Sequence, residues 1–174
     1  DIYRTPLPKP VRPKPVVLVQ GRVLNSRTNR PIGARIRYER LGDGAAQGHA
    51  DSDPITGAYT IVLPAESAYA FRAESDGFIA VSDNLDATTV TEYRELTRDL
   101  LLAPIEVGER VRLNNIFFDF RSDTLRPESL PELQRVAAFL RDNPRIVIQI
   151  GGHTDNVGND QTNLTLSQHR AEAV

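Results

Sequence analysis

The 174-residue sequence contains no cysteine, methionine or tryptophan. Without cysteine there is no disulfide framework, no thiolate nucleophile and no Cys-based metal site. Without methionine the chain does not begin at a natural initiator. Nor does it open with the charged, apolar and small-residue order of a signal peptide, so it reads as a processed piece of a longer protein. No apolar run approaches the roughly 18 residues that a spanning helix needs. An excess of one charge is also lacking, since 21 Lys and Arg stand against 23 Asp and Glu for a net charge of −2. There is therefore no broad cationic field for nucleic acid and no polybasic patch for a membrane surface. With 40% hydrophobic and 25% charged residues, the chain can bury a core, which excludes global disorder.

Three pieces follow one another. Residues 1–15, DIYRTPLPKPVRPKP, hold five of the 12 prolines and four cationic side chains, a composition that favours extended polyproline II and predicts a semi-rigid linker. Over 16–105 the period is two. Ala34-Arg35-Ile36-Arg37-Tyr38-Glu39 alternates apolar with charged residues, which puts Ile36 and Tyr38 on one face and both arginines in water. Tyr59, Ile61 and Leu63 repeat the pattern, as do Tyr69, Phe71 and Ala73, and further candidate strands lie at Val17 to Val23, Phe78 to Val81 and Leu96 to Leu102. Turn signals separate them at Asn29-Arg30-Pro31, Gly42-Asp43-Gly44, Asp53-Pro54 with Thr56-Gly57, and Asp76-Gly77. Many short strands at this spacing predict an all-β, antiparallel sandwich. The phrases Gln20-Gly21-Arg22-Val23, Pro31-Ile32-Gly33-Ala34-Arg35-Ile36, Thr56 to Pro64 and Tyr69-Ala70-Phe71-Arg72-Ala73 resemble the transthyretin-like, carboxypeptidase regulatory-like sandwich. That resemblance implies a fold and no particular ligand.

After Gly108 the period changes. Ile116-Phe117-Phe118 is a short apolar run suited to a buried strand, and a polar loop follows it over Asp119 to Pro127. Ser129 stands three residues before Glu132, a capping-box spacing, with Pro131 tolerated in the first turn. Leu133, Val136, Ala137 and Leu140 recur at helical spacing until Asn143-Pro144 ends the run. Ile146, Ile148 and Ile150 then alternate with Val147 and Gln149 as a second strand, and strand, helix and strand together predict a right-handed crossover. Leu164 to Val174 starts a second helix. The expectation for 106–174 is an α/β domain of βαβα(β) order, truncated at its C-terminal end before a third strand.

The loop after the second expected strand reads Gly151-Gly152-His153-Thr154-Asp155-Asn156-Val157-Gly158. Its small residues let a ligand approach the backbone, at the carboxyl end of a strand where α/β folds place their sites. Asn115 to Phe120, Leu125 to Ser129, Gly152 to Gly158, and Asn163 to Ser167 with Arg170-Ala171 together resemble the OmpA C-terminal family. This is the periplasmic peptidoglycan-binding module shared with peptidoglycan-associated lipoproteins and flagellar-motor stator anchors. The resemblance implies non-catalytic binding of the diaminopimelate in a peptidoglycan stem peptide, through an aspartate in this loop and an arginine on the following helix. The matching positions are Asp155 and Arg170. The chemistry suits them: a zwitterionic end offers an ammonium to a carboxylate, and a carboxylate to the planar fork of an arginine. The resemblance also implies contacts from Phe120-Arg121-Ser122 in the loop after the first strand. Family members commonly carry Asp or Asn where Arg121 stands, and that departure turns this side chain from an ammonium toward a ligand carboxylate while leaving backbone N–H contacts in place. Asn163 would brace the loop, with Thr154, Asn156 and Val157 beside the ligand and Phe120 at the pocket edge.

A sandwich followed by such a module further resembles the tail of large envelope anchors, including those of the type IX secretion apparatus. What this implies is a periplasmic protein associated with the cell wall and outer membrane. Its partners would be peptidoglycan and proteins of an envelope or secretion complex, with no cofactor, nucleic acid or direct membrane span. The alternative is a protein-docking module with wall binding secondary, to be distinguished by a partner surface on 16–105. Catalytic readings lack their machinery. Ser167, His169 and Asp155 have the residue types of a hydrolytic triad, but no Gly-x-Ser-x-Gly elbow is present, and Ser167 is read as a helix-start cap. Of His153, Asp155 and His169 only two lie in one loop, fewer than a roughly tetrahedral His/carboxylate site needs, while Asp51 with Asp53, and Asp155 to Asp160, both miss the twelve-residue calcium-loop spacing.

Overall fold

The computed structural model describes residues 14–41, 43–155, 157 and 159–174. Most of the Pro-rich segment, Gly42 of one expected turn, and Asn156 and Gly158 of the candidate loop lie outside the described residues. The chain forms two compact units, Asp1–Val111 and Arg112–Val174.

The first unit is mostly β. Its strands are β1 (Val16–Asn25), β2 (Arg35–Arg40), β3 (Ala46–Asp51), β4 (Ala58–Pro64), β5 (Ala68–Glu74), β6 (Phe78–Ile79), β7 (Val81–Asp86), β8 (Arg94–Thr97) and β9 (Leu100–Pro104). They pair into two sheets, one ordered β4-β1-β9-β6 with β8 also on β1, the other β3-β2-β5-β7. Alternation decides which residues face inward: along β4, Tyr59, Ile61 and Leu63 are buried while their neighbours are exposed, as period-two geometry requires. Val17, Val19 and Val23 of β1 join Ile36 of β2, Phe71 of β5 and Leu85 of β7 in one hydrophobic cluster. Both sheets thus stand on a single core, and burial at about 25 cal/mol per Å² of apolar surface is its main stabilising term.

Three departures from the sequence reading matter. The first sheet is mixed and not purely antiparallel, because β8 and β9 both run parallel to β1. The segments Phe78 to Val81 and Leu96 to Leu102 each divide in two. β6 pairs with β9 and β7 with β5, so the chain changes sheets at Ala80. β8 and β9 follow one another along one edge of β1, and between them Arg98-Asp99 bulges over Gly21, where an added Cβ would lie 1.8 Å from the Arg98 carbonyl oxygen. Three hydrogen bonds fix this bulge: Arg98 N–H to the Gln20 carbonyl at 2.9 Å, Arg22 N–H to the Asp99 carboxylate at 2.8 Å, and the Tyr59 hydroxyl to the Arg98 carbonyl at 2.7 Å. Burial, then the charges of Asp83 and Asp99, push the Tyr59 phenol well above the usual tyrosine range, so it stays a neutral donor. Finally, β3 lacks apolar alternation; it is an exposed edge strand held by its ladder with β2.

The second unit contains a short 3-10 turn (Pro127–Ser129), α1 (Leu130–Asp142) and α2 (Asp160–Ala173). The two expected strands form no ladder among the described residues. At the first, the returning loop takes the backbone groups a neighbouring strand would have used. The Phe117 carbonyl accepts from Arg126 N–H at 2.9 Å, Phe117 N–H donates to the Ser129 hydroxyl at 2.7 Å, and Asp119 N–H donates to the Thr124 carbonyl at 3.0 Å. Only an isolated bridge, Phe118 to Leu125, is left. At the second, Val147, Ile148 and Ile150 are 94%, 45% and 41% exposed, an apolar run that joins no strand ladder among the described residues.

Helix ends also differ from expectation. Ser129 makes no side-chain cap bond; fully buried, it donates to the Phe117 carbonyl at 3.0 Å as well as accepting from Phe117 N–H. α2 begins four residues before Leu164, capped by Asn159, whose side chain accepts from Thr162 N–H at 3.1 Å. Ser167 therefore lies inside the helix and is no cap, its hydroxyl donating to the Leu164 carbonyl at 2.8 Å.

Candidate functional site

Three segments of the second unit meet around the end of α2: the loop 119–126, the loop 151–159 and the helix itself. Gly152 sets the second contact. A Cβ there would stand 2.0 Å from the Ser167 carbonyl oxygen and 3.3 Å from Ala171 N. The missing side chain therefore admits the helix backbone, and not a ligand as the sequence reading had it.

Arg170 sets the first contact. Its Nε donates to the Ser122 carbonyl at 2.9 Å, and its guanidinium lies 4.9 Å from the centroid of the Phe118 ring. An arginine over an aromatic face is attracted by the ring quadrupole, and the carbonyl bond fixes the plane of the fork. One residue earlier, His169 Nδ1 stands 3.8 Å from the Asp123 carboxylate. Two successive helix residues thus grip two successive loop residues.

Asp155 is exposed, and one of its oxygens accepts from Val157 N–H at 3.2 Å. No ion pair joins it to Arg170 among the described residues, so the two charges are not collapsed onto each other. Asn163, half-buried on the first turns of α2, donates to the Asp155 carbonyl at 3.4 Å and to the Val157 carbonyl at 3.1 Å. Thr154 is half-buried and Val157 exposed in the same loop. Asn156 lies outside the described residues. On the other loop Phe120 is 84% exposed, and the Arg121 guanidinium lies 5.2 Å from its ring centroid. Arg121 itself has a left-handed backbone, with φ of 52°.

The sequence reading missed three contacts. Phe118, counted among the core aromatics, is half-buried and carries Arg170. Ser122, expected to offer backbone groups to the ligand, gives its carbonyl to Arg170 instead. Asp123 and His169 are 46 positions apart and were not paired. Beside the Asp119–Arg126 and Asp123–His169 pairs, the assembly offers the Asp155 carboxylate and two guanidinium groups carried on aromatic rings. Among the described residues no group of three or more His, Cys, Asp or Glu could hold a metal ion, and no helix is long and apolar enough to cross a membrane.

Comparison with known proteins bears on the same segment. Residues 117–174 match the OmpA family. Outer membrane porin F of Pseudomonas fluorescens is 36% identical over 72 residues, 41% of this chain and 22% of that protein. The probable lipoprotein YiaD of Escherichia coli is 39% identical over 86 residues, 48% of this chain and 39% of that protein. The peptidoglycan-associated lipoprotein of Brucella melitensis is 38% identical over 70 residues, 40% of this chain and 39% of that protein. The chain thus spans between about a fifth and two fifths of the length of these relatives. Solved structures overlap it loosely: catechol 1,2-dioxygenase from Acinetobacter sp. ADP1 has 12% identity and a TM-score of 0.41, covering 62% of this chain and 60% of that one, and no activity is transferred from it. Residues 117–174 are an OmpA family domain, and they follow a two-sheet β unit that the family match does not reach.

Proposed function

We propose that this chain is a non-catalytic cell-wall anchor. Its OmpA-like module, taken as 106–174, holds peptidoglycan in the periplasm by the diaminopimelate of a stem peptide and so tethers an outer-membrane or secretion complex. The observation that carries this reading is the OmpA family match over 117–174, with a protein named peptidoglycan-associated lipoprotein among the relatives.

The site's geometry supports it. A diaminopimelate side chain ends in an ammonium and a carboxylate. Asp155 offers an exposed carboxylate anchored by Val157 N–H. Arg170 engages Ser122 through Nε alone, which leaves the two terminal nitrogens of its fork for a ligand carboxylate. Asn163 holds the carbonyls of Asp155 and Val157, and we assign Thr154, Asn156, Val157, Phe120 and Arg121 to the rest of the site from the family resemblance. A small zwitterion offers little contact area, so a single contact is modest in affinity, and many equivalent stem peptides on one wall compensate through multivalency.

The two-sheet unit we read as a carboxypeptidase regulatory-like sandwich over 16–105. With the OmpA-like module behind it, the arrangement resembles the C-terminal part of a type IX secretion system envelope anchor. The test is calorimetric titration of the full chain with a diaminopimelate-containing stem peptide and with its lysine counterpart. Selective binding of the first is expected, with at least tenfold loss in both Asp155→Ala and Arg170→Ala, about what removing one partner of a charge-assisted contact costs. No binding by the folded wild-type chain would refute the reading and shift the role to protein docking.

A further inference from the structure

The charge balance of the loop 119–126 goes beyond what a zwitterion requires. The loop carries two acids, each beside a basic group other than Arg121: the Asp119 carboxylate lies 3.1 Å from Arg126 Nε, and that of Asp123 lies 3.8 Å from His169 Nδ1, a pairing that carries charge only when the imidazole is protonated. Arg121 has no acid partner among the described residues. Its guanidinium is carried on the exposed Phe120 ring, just as Arg170 is carried on Phe118 two residues earlier. The left-handed backbone at Arg121 is sparsely populated by residues with a side chain, so the tip of this loop is held in one uncommon shape.

A zwitterionic ligand end would neutralise Asp155 and Arg170 and leave Arg121 with no counter-charge. We propose that Arg121 reads a second carboxylate. On this view the site selects wall peptides whose backbone carboxylates are free, in addition to their zwitterionic side-chain end, and discriminates against the amidated forms. The inference rests on the wall-peptide reading above and names the class of peptide within it. The discrimination has a simple origin. A carboxylate accepts two parallel bonds from a guanidinium, whereas a carboxamide presents one acceptor beside an NH₂ whose donors oppose those of the arginine. The aromatic backing restrains the fork before the ligand arrives, so less rotamer freedom is lost on binding. For a solvent-exposed pair the preference is about three- to tenfold in Kd, and it shrinks as added salt screens the pair.

The test uses the full chain and two synthetic tripeptides of alanine, γ-linked glutamate and diaminopimelate. One has free backbone carboxylates; in the other these are carboxamides, with the diaminopimelate side-chain end intact in both. Wild type is expected to bind the acid form about three- to tenfold tighter. Arg121→Asn, chosen because asparagine tolerates the left-handed backbone, should bring that ratio near one, and Arg121→Lys should restore part of it. Equal affinity of wild type for both peptides, or a preference that persists in Arg121→Asn, overturns the assignment of Arg121 while the wall reading stands. Failure of wild type to bind either peptide overturns both. If Arg121→Asn loses its helical circular-dichroism signal, the wild-type ratio and its decline with salt decide the question, a ratio that salt does not move counting against Arg121.

Discussion

Replacing Gly21 by alanine should unfold the first unit at markedly lower denaturant. The added methyl would sit 1.8 Å from the Arg98 carbonyl oxygen and 2.5 Å from its carbon, where real Cβ contacts stay beyond 3.0 Å. Because the obstacle is backbone and not the end of a flexible side chain, the bulge between β8 and β9 has to retreat from β1. Overpacking of this kind costs about 1–3 kcal/mol. The retreat also loosens the Tyr59–Arg98 and Arg22–Asp99 hydrogen bonds, about 1 kcal/mol each. Restricting the unfolded chain returns about 0.4–1 kcal/mol, so the net loss is about 2–4 kcal/mol. With a urea slope of about 1–3 kcal/mol per M, the midpoint should fall by at least about 0.7 M. Tyrosine fluorescence is the natural probe, since all five tyrosines lie before residue 112 and there is no tryptophan. Gly44→Ala is the control: its Cβ would meet nothing within 4 Å, so only the cost of its left-handed backbone, about 1–2 kcal/mol, applies. A midpoint for Gly21→Ala no lower than that of Gly44→Ala would refute the close approach of Arg98 to β1.

Two further outcomes test other parts of the chain. Ser129→Ala removes the hydroxyl that serves both the N–H and the carbonyl of Phe117; the carbonyl keeps its bond from Arg126 N–H, but the N–H is left unpaired, which should cost about 1–3 kcal/mol, read as faster amide hydrogen exchange in α1, and unchanged exchange there would count against the role. Asp53 accepts from Thr56 N–H, the Thr56 hydroxyl and Ile55 N–H, and these bonds, that from Thr56 N–H foremost, hold its carboxyl below the usual aspartate range. A depressed carboxyl stabilises the fold above the unfolded-state value of about 3.9, and that stabilisation is lost as pH falls through the lower folded value. Asp53→Asn, which keeps an acceptor but cannot titrate, should therefore flatten the dependence of the urea midpoint on pH below about 4. An equally steep dependence in the variant would assign the acid sensitivity elsewhere.

Inward-facing residues were the most legible part of the sequence. Ile36, Tyr59, Ile61, Leu63, Phe71 and Ala73 could be assigned from alternation because one face of each strand meets the core, and all are buried. Features set by contact across the fold could not be read in the same way. Nothing in Leu96 to Leu102 marks Arg98-Asp99 as a break; the break exists because Gly21, far away in sequence, leaves room for it. β3 escaped notice because Ala46-Gln47-Gly48-His49-Ala50-Asp51 is held by backbone pairing to β2 and not by an apolar face. The Ser129–Glu132 spacing predicted a cap, but the same hydroxyl had a stronger claimant in the backbone of Phe117. The start of α2 was hidden because Asp160 to Asn163 carries no apolar period, although Asn159 is itself a favoured cap residue.

The family resemblance pointed to Asp155 and Arg170, but the sequence could not say what keeps them apart. Opposite charges on neighbouring segments tend to pair, and a paired site must be opened before a ligand enters. In this structure each charge has a different local tie. Asp155 is held by the N–H of Val157 within its own loop, and Arg170 by the Ser122 carbonyl and the Phe118 ring. Each tie uses only part of the group: a carboxylate has two oxygens and about four acceptor positions, and an arginine has five N–H donors of which Nε accounts for one. Ties of this kind orient a charge without neutralising it. That distinguishes them from a salt bridge, which fixes orientation and cancels charge together, and it is why loop backbone and an aromatic ring, and not a counter-ion, are suited to holding an arginine ready for a carboxylate.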